Sequence, residues 1–167
     1  EQRQGARKIT LKPDHKKILS IAPDMSYKAP EPGVRELKHR PVIAGFGPCG
    51  IFCALILAQQ GYRPIVLERG KCVSERAEDV QNFWNGGALN TESNVQFGEG
   101  GAGTFSDGKL TTGIKEPRIH KVLSEFVSAG APEEILYKNK PHIGTDLLRD
   151  VVANIREEII RLGGEIR

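Results

Sequence analysis

Cysteine is scarce in this sequence: three residues, Cys49, Cys53 and Cys72, among 167. An odd count without regular spacing argues against a secreted disulfide framework and fits reduced thiols in the cytoplasm. No C-x-x-C or C-x4-C pair occurs, which argues against dithiol–disulfide chemistry. Cys49 and Cys53 stand four apart, a spacing that can hold a metal, but no His or Cys nearby completes a set of four ligands. They are expected instead to be small buried residues packing a helix. Long apolar runs are also missing. The longest, Ile51 to Ala58, falls far short of the ~18–20 residues of a membrane span, so no membrane association is expected. The first residues are polar and basic, and no signal peptide is expected there. Aromatic residues make up 6% of the chain, and none of its Phe or Trp interleaves the basic N-terminal stretch. That leaves no stacking platform for nucleic acid, which is not expected as a partner.

What is present is unevenly placed. The net charge is +3, yet residues 1–40 hold ten Lys or Arg against five Asp or Glu. Short β-like stretches, Lys8 to Leu11 and Lys17 to Ile21, are followed by Pro23, Pro30 and Pro32. Proline restricts its own φ and the residue before it, so residues 1–40 read as an extended basic linker or the remnant of a preceding domain. From residue 41 to 167 the pattern sharpens into one domain. Strands are expected over Pro41–Ala44 and Arg63–Leu67, and a short one from Gly164. Helices are expected over Pro48–Gln60, Ser74–Trp84, Pro117–Ala129 and Thr145–Leu162. Thr145 is placed to cap the last of these and Gly163 to stop it. Strands alternating with helices predict an α/β fold with a parallel sheet.

Gly45-Phe46-Gly47-Pro48-Cys49-Gly50 satisfies G-x-G-x-x-G, after a strand and before a helix. A second strand ends in an acid, Glu68, 18 residues after Gly50. Each residue has a physical task in such a unit. Gly45 permits the tight turn out of the strand. Gly47 lacks the Cβ that would keep a pyrophosphate off the backbone, and Gly50 lets helix and strand lie close. The helix N-terminus offers free N–H groups and the positive end of its dipole. Pro48 fits the first turn because its missing N–H would have had no partner. Glu68 would accept hydrogen bonds from ribose hydroxyls and would disfavour a 2′-phosphate. The motif alone does not separate FAD from NAD.

The second informative stretch, Asn94 to Leu110, is also rich in glycine. Successive N–H groups in Gly100-Gly101-Ala102-Gly103 can form an anion-binding nest, with Thr104, Ser106, Asp107 and Lys109 adding polar groups. No Walker G-K-[ST] follows, so this is not a P-loop. His120 and His142 are isolated and read as surface or structural residues.

From Arg40 to Arg167 the chain resembles the bacterial family described as FAD-dependent, or NAD(FAD)-utilising, dehydrogenases, most of them uncharacterised. The resemblance rests on residues 45–50, on Val66-Leu67-Glu68-Arg69-Gly70, on Glu92 to Leu110 and on Lys140-Pro141-His142-Ile143-Gly144-Thr145-Asp146. It implies a Rossmann-like FAD/NAD(P)-binding domain of three layers around a parallel sheet, truncated at its C-terminus. It implies FAD with its pyrophosphate on the Gly47–Gly50 helix end, its ribose at Glu68, Arg69 beside the adenosine, and the 100–107 loop against the pyrophosphate or flavin ring. Family members usually carry Ala at position 49 and an acid at position 72, where this chain has Cys. The implied function is the FAD-binding part of a flavin-dependent oxidoreductase with an unknown small-molecule substrate and NAD(P)H as a candidate electron donor. A structural or redox-sensing FAD module and a nucleic-acid-associated flavoprotein are the alternatives. No catalytic residue is assigned. The chain by itself is expected to hold FAD poorly and to self-associate.

Overall fold

A computed structural model describes residues 24–106 and 108–167. The β-like stretches expected before Pro23, and Asp107, lie outside the described residues. Residues 24–40 contain no helix or strand and are mostly exposed, as a linker should be. The linker is tied down at its end by Arg40. That guanidinium donates to the carbonyls of Arg63, Pro64 and Gly163 and pairs with Glu165 at 3.3 Å.

Three parallel strands follow, β1 (Val42–Ala44), β2 (Ile65–Leu67) and β3 (Glu165–Ile166), in the spatial order β1-β2-β3. Val42 stands beside Ile65 and Ala44 beside Leu67, and Ile65 stands beside Glu165. Helix α1 (Pro48–Gln59) links β1 to β2, so the strand–helix–strand unit read from the sequence is present. Helix α2 (Val73–Trp84) follows β2. Helices α3 (Arg118–Ser128) and α4 (Thr145–Arg161) come after an irregular stretch. That stretch contains a 3-10 turn over Ala102–Phe105, and a second such turn covers Glu133–Leu136.

Strand periodicity decides where the core lies. Val66 is fully buried, and Ile43 and Ile166 share its face of the sheet. They pack with Ile51, Ala54, Leu55 and Ala58 of α1 and with Val151, Val152, Ile155 and Ile159 of α4. Gly61 (φ 81°) and Gly163 (φ 89°) adopt the left-handed conformation that ends α1 and α4. Two details differ from the sequence reading. The cap of α4 is Gly144 rather than Thr145, with no side-chain cap hydrogen bond, because Thr145 already has helical geometry. Cys49 and Cys53 are exposed rather than buried. A helix turns ~100° per residue, which places residues 49 and 53 on one stripe, away from the stripe of Ile51, Ala54, Leu55 and Ala58.

Of the three layers expected, the described residues show the sheet with α1 and α4 on one face. The opposite sheet face is bare among the described residues: Val42 is 63% exposed and Leu67 48%. Among the described residues, the outer side of β1 carries the N–H and C=O groups of Val42 and Ala44 without a paired strand. Such an edge pairs readily with another chain. The chain is therefore expected to show a weight-average mass that rises with concentration in sedimentation equilibrium. A mass that stays at the monomer value as concentration is raised would refute this.

Candidate functional site

The glycines of the first loop behave in three different ways. Gly45 has φ 88°, and its N–H donates to the Leu67 carbonyl at 2.7 Å, which turns the chain out of β1 toward β2. Gly50 lies so close to the strand end that a Cβ would meet the Gly45 carbonyl oxygen at 2.0 Å. At Gly47 a Cβ would meet nothing within 4 Å. The space over Gly47 is thus open, at the point where Pro48 begins α1. The first N–H groups of that helix have no carbonyl four residues back to accept them.

The second glycine stretch comes to the same place. The Gly100 N–H donates to the Phe46 carbonyl at 2.9 Å. A Cβ on Gly101 would lie 3.1 Å from Pro48 Cδ and 3.5 Å from Gly47 Cα. Gly100 (φ 85°) and Gly101 (φ 66°) both have positive φ, and their N–H groups are used inside the chain, by the Phe46 and Gly98 carbonyls, so the nest expected from the sequence does not form at these two residues. Ala102, Gly103 and Ser106 are exposed beside them, and the Ser106 hydroxyl donates to the Gly103 carbonyl at 2.7 Å. Thr104 differs from the expectation that its hydroxyl faces a ligand. It is 1% exposed, and its Oγ1 occupies the place a Cβ on Gly100 would need, 2.0 Å away.

Glu68 stands at the end of β2 and faces the first loop. One of its carboxylate oxygens accepts the Phe46 N–H at 2.5 Å and the other the Gly70 N–H at 2.9 Å. A carboxylate has about four acceptor positions, so each oxygen keeps one for a further donor. The Phe46 peptide is held on both sides, by Glu68 at its N–H and by Gly100 at its C=O. Arg69 points to the other side of β2's end. It pairs with Glu92 at 3.0 Å and lies over the Phe97 ring at 4.6 Å.

Behind the loops a cavity of about 200 Å³ opens between Pro48, Ile51 and Phe52 of α1, Val152 and Ile155 of α4, and the Gly100–Leu110 segment. Phe52 and Phe126 close one wall, with ring centroids 5.4 Å apart, edge to face. The far end of the segment is fixed by Gly108, whose carbonyl accepts the Ile143 N–H at 2.8 Å and whose φ is 68°. Lys109 and His142 form an antiparallel bridge there. Stretches that are separate in sequence, around residues 46, 68, 100 and 143, are therefore linked by direct hydrogen bonds or through the Gly100–Gly108 segment.

Three residues that sequence reasoning passed over hold this surface together. Arg76 of α2 is fully buried. Its guanidinium donates to the carbonyls of Asn94 (2.8 Å), Val95 (2.9 Å) and Glu99 (2.6 Å), with a longer contact to Gly98 (3.4 Å). It also lies over the Phe105 ring at 4.7 Å. Glu99, 2% exposed, accepts the Val73 N–H at 2.6 Å and pairs with Arg156 of α4 at 2.8 Å. Burial pushes the Glu99 carboxyl above its ordinary range, against the opposing pull of the Val73 N–H and Arg156. Its other oxygen is buried without a partner among the described residues. An Arg one turn inside an amphipathic helix gave no sequence signal, since that position usually faces solvent.

Among the described residues no group of three His, Cys, Asp or Glu is arranged to hold a metal, and no helix is long and apolar enough to cross a membrane. No protein-family model matches the chain. An uncharacterized protein of Clostridium beijerinckii is 58% identical over 159 residues, which is 95% of this chain and 30% of that protein. The chain therefore spans less than a third of the length of the curated relative it matches.

Proposed function

We propose that this chain is the ADP-binding portion of an FAD-dependent oxidoreductase. The observation that carries the reading is the open space over Gly47, bounded by the start of α1, by Gly100–Gly103 and by Glu68. The residues present fit a dinucleotide. Gly47 leaves backbone accessible where a pyrophosphate would lie, and the helix dipole favours its charge. Glu68 keeps acceptor positions for two ribose hydroxyls. Pro48, Cys49, Ala102 and Ser106 border the same space.

FAD is preferred over NAD on the resemblance of residues 92–110, and a bound flavin would supply hydride or electron transfer. The chain's own groups bind and orient. The Phe46 peptide, locked at both ends, fixes the shape of the phosphate loop, and the cavity beside Phe52 and Phe126 offers an apolar wall to whatever lies beyond the pyrophosphate.

Calorimetric titration of the purified chain with ADP and with FAD tests the reading. Glu68→Ala is expected to weaken ADP binding by about 1–2 kcal/mol, or ~5–30-fold, through loss of charge-assisted hydrogen bonds. No ADP binding by the wild type, or an unchanged affinity in the variant, would refute the assignment. Bleaching of a bound flavin by NADH or NADPH under anaerobic conditions tests the redox half separately.

A further inference from the structure

We infer that Arg76 is the positioning residue of the proposed dinucleotide site: it holds the second glycine loop against the first and thereby sets the shape of the anion-binding surface. The inference rests on the dinucleotide reading only for the identity of the ligand.

The connection runs through single bonds. The Arg76 guanidinium gathers four carbonyls, those of residues 94, 95, 98 and 99, all from one irregular segment with no strand or helix to shape it. The next residue is Gly100, whose N–H donates to Phe46 in the first loop. A Cβ at Gly98 would lie 2.6 Å from Arg76 Cδ, so the side chain is packed against the backbone it organises. Phe105, at the end of the 3-10 turn that carries Gly103, closes over the other face of the guanidinium. The loop residues proposed to surround the phosphates, 100 to 103, are thus bracketed by two contacts with one side chain.

Burial works against the Arg76 charge, and the carboxylates of Glu68 and Glu99 offset it. Those two acids belong to the two halves of the site. A planar fork with five donors can reach four carbonyls at once, which an ammonium cannot.

Arg76→Lys keeps the charge and loses the fork. In the full chain it is expected to raise the dissociation constant for ADP about ten-fold, a modest allosteric-scale coupling. The exchange of the Gly100 amide with solvent should accelerate by a similar factor. Ile159→Ala, a core change remote from the loop, controls for general destabilisation and should leave both readouts unchanged. A folded Arg76→Lys protein with wild-type ADP affinity and Gly100 exchange overturns the inference. If that variant does not fold, Phe105→Leu decides, with about a two- to three-fold loss expected from removing the stacked ring and no loss overturning it. Should the wild type bind no ADP, the dinucleotide reading fails, and Gly100 exchange in the same variants still upholds or overturns the positioning role.

Discussion

Gly50→Ala is expected to destabilise the chain by about 3 kcal/mol, the upper end of what overpacking a tight contact costs. The added methyl would lie 2.0 Å from the Gly45 carbonyl oxygen. That oxygen belongs to backbone and cannot rotate aside, so α1 has to move off β1. The shift reaches the core directly, because Ile51, Ala54 and Leu55 on the same helix are buried against Val66. Gly47→Ala provides the contrast. Its φ is −76°, which any residue adopts, and its Cβ would meet no protein atom. Unfolding in urea should therefore report a midpoint within ~0.5 kcal/mol of wild type for Gly47→Ala, while ADP titration reports a large loss of affinity. A destabilised Gly47→Ala, or a stable Gly50→Ala, would show that the two glycines do not divide the work of packing and of ligand approach.

Arg156→Met should cost about 3 kcal/mol at neutral pH, the lower end of the range for stripping one partner from a buried pair. Arg156 keeps 21% side-chain exposure, whereas the Glu99 side chain keeps 3%. The loss therefore falls mainly on a carboxylate left charged and unpaired. The sign of the pH dependence follows from burial, which already raises the Glu99 carboxyl above its ordinary value of 4.5. A raised carboxyl favours the folded state below that value, and its contribution is lost as pH rises through the folded-state pKa. Removing Arg156 takes away a group that opposed the rise, so the window widens upward. The stability difference between variant and wild type should be small near pH 4 and largest near pH 8. A difference that does not vary with pH would place the cost in lost packing of the Arg stem instead.

The loop of residues 45–50 was legible in the sequence because each of its glycines answers to a local rule: a turn at Gly45, open space at Gly47 and a close crossing at Gly50. The strand–helix–strand unit was legible because two short apolar runs flank a longer one that Pro48 opens and Gly61 closes, all of it local in sequence. The stretch from Asn94 to Leu110 read correctly as a glycine-rich segment near the site, but its shape did not. That shape depends on Arg76 and on Ile143, whose N–H bonds to Gly108. Neither residue lies within fifteen positions of the loop residue it holds, and no periodicity announces such a contact. Cys49 and Cys53 failed in the opposite direction. Their apolar surroundings in sequence predicted burial, yet an all-apolar helix has more sides than this core covers. Thr104 was misjudged because a hydroxyl in a glycine loop is ordinarily offered to a ligand, and here the space left by Gly100 draws it inward.

The sheet order also sets a schedule for synthesis. β2 finds its neighbour β1 just behind it, across one helix, but its other neighbour lies a hundred residues ahead, with Ile65 paired to Glu165. At ~5–20 residues per second, a ribosome needs roughly 5–20 s to deliver that partner. Throughout that interval the strand bearing Glu68 is half-paired and α1 lacks the cover of α4. The β1–α1–β2 unit stays uncovered until α4 and β3 have emerged to pack on it.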